Sequence, residues 1–429
     1  MGRIRGIRDL TARHLCRGVA VLHNRTMPAS APDHPRRDDI DLLDGRWYAT
    51  EPHEAWKWMR ENAPAYYDTN SDTWAITRYH DILRVEKDPT TFSSARAPRP
   101  HGDPLPMMIS MDDPQHQLRR SLVNRGFTPK RVRAKESEIV AICDMIIDRV
   151  CERGECDFVW DIAAPLPLLL IGDMLGFPRS SFDDLLRWSD DLIRGTTVRD
   201  DAAATKAMLA AIEFREFQLA IIADRRAQAP QPDLVSVLCH AEIDGEQLDD
   251  ESLVQETLLI LIGGDETSRH VITGGMLALI RNPAQREALQ ADRSLIDGAV
   301  EEMLRWVTPI KNMARTVTVD VEVGGQILRA GDQVILMYPS GNRDEAVFDD
   351  PYRFDIRRHP NPHMAFGFGT HFCLGASLAR LELRIMFSRL LDRLPDIELA
   401  NDEPLPYRNS NFIVGPEAMP VTFTPSSRR

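Results

Sequence analysis

The sequence predicts a mainly α protein with a small β subdomain. Three observations carry this: several amphipathic segments with helical period, one long apolar helix in the middle of the chain, and few strand signals, mostly clustered late. Between Lys130 and Arg153, Ile139, Ile142, Cys143, Ile146, Ile147 and Val150 recur at i, i+3, i+4 and i+7, the stripe of a helix with one buried face, closed by Gly154. Further helices fit Ala163 to Leu175, Phe182 to Ile193, Thr205 to Arg226 and Leu374 to Leu394. The longest runs from about Asp249 to Ile280, and its LLILIGG centre is apolar on all sides, so it should cross the middle of the molecule. Strands are expected at Trp74 to Thr77, at Arg315 to Val323 with alternating valines, and at Val334 to Tyr338. A Gly324-Gly325 turn leads into Ile327. The proline-rich stretch Arg96 to Pro106 and the polar break Arg194 to Thr205 read as mobile lips of a channel.

No repeat or low-complexity linker interrupts the chain, so residues 38–429 are expected to form one domain. Residues 1–37, with eight arginines and two aspartates, are expected to be a disordered extension. That stretch is acid-poor like a targeting peptide but lacks a continuous apolar core, and Met27 is an alternative start. The expected location is the cytoplasm, with no transmembrane segment, since no run of about 18 apolar residues is evident. A net charge of −13 argues against a nucleic-acid partner. Six cysteines without paired spacing argue against a disulfide framework, and Cys151 and Cys156 read as packing residues.

Chemistry concentrates in Phe366-Gly-Phe-Gly-Thr-His-Phe-Cys-Leu-Gly375. A thiolate that ligates a metal must approach it closely, with backbone N–H groups aimed at the sulfur. Gly367, Gly369 and Gly375 would allow that approach, and Cys373 precedes a helix whose positive end favours an anion. A buried packing cysteine, a phosphate loop and a thiol nucleophile are the competing readings. GFGTHF lacks the third glycine of a dinucleotide fingerprint and the GK[ST] of a P-loop.

The ten-residue segment resembles the haem-ligand signature FGxGxHxCxG of the cytochrome P450 superfamily, and the likeness runs from about Asp41 to Pro425. It implies the superfamily's triangular helical prism, with haem b between the central helix and the cysteine-ligand helix, Cys373 as axial ligand and His371 at a propionate. Within the long helix, Gly263-Gly264-Asp265-Glu266-Thr267 resembles the oxygen-binding groove. Thr267 would hydrogen-bond the oxygen being activated, and Glu266 would relay protons. From spacing alone, the Thr267 hydroxyl can reach the Gly263 carbonyl, while two helical glycines also fit a helix crossing. Glu302 and Arg305, with Arg358, resemble the ExxR cluster that supports the fold. His116, Arg120 and Arg315 match propionate-binding positions.

Electrons must come from outside, since no flavin or nicotinamide module is present; a ferredoxin and its reductase are expected. Arg119, Arg125, Lys130, Arg131 and Arg133, with Arg380 and Arg384, offer a basic surface for such a partner or simply a solvated face. The segments LILIGGDETSRH, MDDPQHQLRRSLVNRGF, CERGECDFVWDIAAPLP and NFIVGPEAMPV look like the actinobacterial cholesterol side-chain hydroxylase group. This likeness implies O2-dependent hydroxylation of the C26/C27 methyl of cholesterol or cholest-4-en-3-one, in some members onward to the acid. Ile260, Leu261, Gly263, Val307, Ile310, Met313 and Phe412 are the expected pocket. Methyl-branched fatty acids or terpenoids are the alternative substrates, and a haem-thiolate sensor is the non-enzymatic alternative.

Overall fold

Capping and apolar patterning set the helix positions. The computed structural model describes residues 34–428 apart from 198–200 and 244. Its principal helices are α1 (Tyr79–Lys87), α2 (Gln115–Asn124), α3 (Glu136–Asp148), α4 (Pro165–Leu175), α5 (Phe182–Thr197), α6 (Asp201–Ala227), α7 (Asp250–Arg281), α8 (Ile296–Val307) and α9 (Ala376–Arg393). The Asp249 carboxylate caps α7 by accepting from Ser252 N at 2.7 Å. The expected long helix after Lys130 divides: a short helix Pro129–Ala134 precedes α3, and Lys135 separates them.

The apolar centre of α7 explains its place. It packs against α4, α5, α6, α8 and α9, and Leu253, Val254, Leu261, Val271, Ile272 and Met276 lie in the main core. The glycine pair splits between the two readings. A Cβ on Gly264 would stand 3.0 Å from Ile171 Cγ1 of α4, whereas one on Gly263 would meet nothing within 4 Å. Gly264 serves the helix crossing, and Gly263 opens onto the cavity described below.

The β subdomain holds β1 (Ala65–Asp68), β2 (Thr73–Ile76), β3 (Phe92–Ser93), β4 (Asn312–Val317), β5 (Val321–Val323), β6 (Gln326–Leu328) and β7 (Gln333–Met337). One five-stranded sheet has the order β1-β2-β7-β4-β3. Central β7 pairs Ile335 with Ala75 in parallel and with Ala314 antiparallel. The strand expected over Arg315 to Val323 is therefore two: β4 joins the large sheet, and β5 turns at Gly324-Gly325 to pair with β6. Both glycines have positive φ, as that hairpin requires.

Two expectations need correcting. His34 Nε2 meets Tyr67 N at 2.9 Å, so residues 34–37 belong to the folded body, while 1–33 lie outside the described residues. The break at Arg194 to Thr205 is mostly helix, with only 198–200 outside the described residues. Among the described residues, Phe158–Leu175 is long and apolar enough to cross a bilayer, but 78% of it is buried within the fold. Its apolar residues pack into the helical core instead.

Candidate active site

A cavity lies between the middle of α7 and the loop that enters α9, with Cys373, Gly375, Gly263 and Thr267 on its walls. Including its mouth it encloses about 1560 Å³.

The loop before Cys373 turns twice through left-handed backbone, at Gly367 (φ +64) and Gly369 (φ +69). A side chain on Gly369 would collide with the Glu86 carbonyl oxygen at 2.2 Å, and a Cβ on Gly375 would meet nothing within 4 Å. Cys373 N donates to Phe366 O at 2.9 Å, closing the loop. Burial pushes the Cys373 thiol up, opposed by hydrogen bonds from the Gly375 and Ala376 amides and by Arg120 and Arg380. The amides thus point at the sulfur, as a thiolate ligand needs.

Four basic side chains gather on the cavity. His116 and His371 stack with ring centroids 4.1 Å apart. His371 Nε2 is buried without a hydrogen-bond partner among the described residues. Burial, with Arg315, His116 and Arg120 nearby, lowers the His371 pKa to about 3. Arg120 donates to Thr370 O at 3.3 Å and Phe372 O at 2.5 Å. Arg315 donates to Ala314 O at 2.8 Å. Two guanidiniums and two neutral imidazoles facing a largely apolar cavity, in which Glu86 and Glu382 are the acidic side chains, suit a flat apolar cofactor that carries carboxylates, so the residues fit a haem.

On the opposite wall, Thr267 Oγ1 donates to Gly263 O at 2.8 Å within the unbroken α7. Glu266, the next residue back, points away from the cavity and is fully buried. Its carboxylate pairs with Arg269 and accepts from Arg408 Nη1 at 2.7 Å, with His270 Nε2 at 3.7 Å. Burial would raise its pKa, but Arg269 and Arg408 hold it well below the usual carboxylate range. Arg408 also pairs with Asp190, and Arg194 joins Asp190 at 2.6 Å and pairs with Glu417. Asp265 faces another way, buried and without a close hydrogen-bond partner among the described residues. Burial pushes its carboxyl up to about 7.

Of the expected pocket residues, Ile260, Gly263, Ile310 and Met313 line the cavity. Leu261, Val307 and Phe412 do not. Leu261 is one residue round the helix from Ile260 and turns into the core. Val307 packs against Gly274, and Phe412 lies under the Arg99 guanidinium, 4.7 Å from its ring centroid. Pro98, from the expected lip, lies on the wall, and the sequence reading missed Met108, Ile109, Ile171, Leu259 and Glu86, which line it as well. Only the apolar Met107-Met108-Ile109 cluster after the prolines hinted at them. The expected mobile lip is also tied down. Arg99 donates to the backbone and side-chain oxygens of Asn312 and Asn411 at 2.5–3.2 Å.

Away from the cavity, Arg305 grips Glu302 through two bonds of 2.7 and 2.8 Å. Arg358 Nε reaches Glu302 Oε2 at 3.2 Å. The three side chains expected to form a cluster do so, and Arg305 also donates to the carbonyls of Asn342, Pro351 and Arg353.

Comparison with known proteins agrees with this geometry. The family model for cytochrome P450 matches residues 181–422. The steroid C26-monooxygenase of Mycolicibacterium smegmatis is 54% identical over 393 residues, covering 91% of this chain and 98% of that protein. The methyl-branched lipid omega-hydroxylase of Mycobacterium tuberculosis is 37% identical over 406 residues, covering 90% and 92%. Among solved structures, a Mycobacterium marinum cytochrome P450 in complex with pseudoionone superposes with a TM-score of 0.83 at 33% identity, covering 91% of this chain and 100% of that one. The chain belongs to the cytochrome P450 family, whose cofactor is a haem ligated by a cysteine thiolate.

Proposed function

We propose that this protein is a monooxygenase that inserts one atom of O2 into a terminal methyl C–H of a steroid side chain, C26/C27 of cholesterol or cholest-4-en-3-one. The single observation that carries the substrate is the 54% identity, over nearly its whole length, to a steroid C26-monooxygenase. The apolar wall of Ile260, Ile310 and Met313 suits a hydrocarbon tail.

In this reading the cofactor is haem b. Cys373 supplies the axial thiolate, and Arg120, Arg315, His116 and His371 hold the propionates. When bound, the haem supplies the electron-transfer chemistry that splits O2, aided by the thiolate's electron push. The overall reaction takes substrate, O2, two electrons and two protons to alcohol and water. Thr267 presents its hydroxyl at the cavity, where it can pass a proton inward once it leaves the Gly263 carbonyl. Glu266 stands behind it as an ionised acceptor, joined through Arg408 to Asp190, with Glu417 close by; the last two side chains are 19% and 29% exposed. The walls orient the tail so that a primary methyl is presented ahead of weaker bonds.

Electrons arrive from a ferredoxin and its reductase, which points to the cytoplasm. Exposed Arg125, Lys130, Arg131 and Arg133 and the 39% exposed Phe372, next to Cys373, offer an acidic carrier a docking face. The test is turnover with ferredoxin, reductase and NAD(P)H, with products identified by mass spectrometry. Cholest-4-en-3-one should give the side-chain terminal alcohol or acid. A ring-hydroxylated sterol would overturn the orientation. Turnover of methyl-branched fatty acids alone would replace the steroid with the substrate class of the 37% identical relative. Failure to consume NAD(P)H with any lipid would favour a sensor.

A further inference from the structure

The loop that presents Cys373 rests on a residue with no place in the site as so far described. Glu86, at the end of α1, is 5% exposed and lines the same cavity as Cys373, Arg120 and Arg315. Its Oε2 accepts from the amide of Phe368, between the two left-handed glycines of the cysteine loop. Its Oε1 accepts from the Tyr338 hydroxyl at 2.6 Å and lies 3.5 Å from Arg315 Nη2. Gly367 fits closely against the same carboxylate, where a Cβ would stand 3.3 Å from either oxygen. Helix α1, strand β4 and the cysteine loop therefore meet on one side chain.

Three donors converge on two oxygens. Two of them, the Arg315 guanidinium and the Phe368 amide, can only donate, and both favour the ionised carboxylate. That arrangement opposes protonation. Burial raises its pKa above the ordinary carboxylate value, and Arg315, Tyr338 and the Phe368 amide oppose that rise without cancelling it. A carboxylate here competes with any anionic group for Arg315, and it adds a fixed negative charge where the cationic residues would otherwise dominate.

We infer that Glu86 is a positioning and potential-setting residue for the haem, an inference that rests on the haem-thiolate reading above. Through the Phe368 amide it holds the loop that aims Cys373, and through its charge beside Arg315 it lowers the reduction potential of the bound haem. Reduction adds an electron, so a nearby negative charge opposes it.

The experiment uses the full-length holoenzyme and needs no substrate. The wild type is first checked, reduced and with carbon monoxide, for the red-shifted Soret band of a thiolate ligand. Absence of that band would overturn the haem-thiolate reading and this inference with it, whereas the outcomes below, read with the band present, bear on Glu86 alone. Midpoint potentials are then measured by spectroelectrochemistry. Glu86→Gln keeps an oxygen for the Phe368 amide and removes the charge, so it should retain the band and titrate at a higher potential than the wild type. Glu86→Ala should shift upward as well and, with the loop unpinned, lose the thiolate band faster on mild warming. A Glu86→Gln potential equal to that of the wild type would overturn the charge role. A Glu86→Ala band as durable as the wild type's would overturn the positioning role. If Glu86→Ala fails to retain haem, the loop support is borne out and Glu86→Gln alone decides the charge.

Discussion

Two buried carboxylates in this molecule are each gripped by two arginines, yet they belong to different kinds of network. Around Glu302, the partner arginines spend their remaining donors on backbone carbonyls: Asn342, Pro351 and Arg353 for Arg305, and Asp349, Asp350 and Arg353 for Arg358. The charge ends there, and the cluster ties α8 to the stretch leading to the cysteine loop. Around Glu266, Arg408 passes on to Asp190, and Arg194 joins Asp190 to Glu417, side chains that keep some exposure. The same chemistry is a closed knot in one place and an open chain toward solvent in the other. What separates them is where the second donor of each arginine goes.

Breaking the knot should cost most. Glu302→Ala leaves two buried guanidiniums without their carboxylate, a loss of about 3–5 kcal/mol. It should appear as a lower urea midpoint and poor haem retention; near wild-type stability would show that the carbonyl bonds suffice. Cutting the open chain should instead cost rate. Glu266→Gln keeps the shape and an acceptor for Arg408 but removes the proton acceptor, and product formation should slow by roughly 10²–10⁴-fold. The solvent deuterium isotope effect on turnover should rise at the same time. An unchanged rate would mean that protons reach the cavity by another path.

The smallest effect concerns Asp265, which feels the charges of Arg269, Glu266 and Arg408 but makes no hydrogen bond to them. Burial holds its pKa near 7, above its ordinary value of 3.8, so between those values the folded protein keeps a proton that the unfolded chain releases. Stability from this group is fully present below about pH 4 and is lost as pH rises towards 7. Asp265→Asn should flatten that decline in a melting-temperature series from pH 5 to 8. An unchanged slope would contradict it.

How much of this the sequence discloses follows from how local each feature is. The cysteine loop is contiguous, so Gly367, Gly369 and Cys373 could be read directly. The Thr267–Gly263 bond follows from helical spacing alone. Glu302 and Arg305 are three apart, but Arg358 was recognisable only by resemblance. Contacts across the chain left no local mark: Arg408 meets Glu266 from 142 positions away, and Glu86 meets Phe368 from 282. The pocket list erred where a residue's helical phase or tertiary partner decided its direction. Leu261 follows Ile260 by one residue and faces the core, and Phe412 is taken up by Arg99 from the proline-rich loop. That loop looked mobile because its composition forbids helix and central strand, but its arginine was the anchor.

The central claim is that the Cys373 sulfur meets iron in the cavity under α7. Its most direct measurement is the absorption spectrum of the haem-loaded protein after reduction and exposure to carbon monoxide. The account predicts a strongly red-shifted Soret band for the wild type and its disappearance in Cys373→Ser. A folded, haem-loaded wild type without that band, or a Cys373→Ser protein that keeps it, would contradict the account.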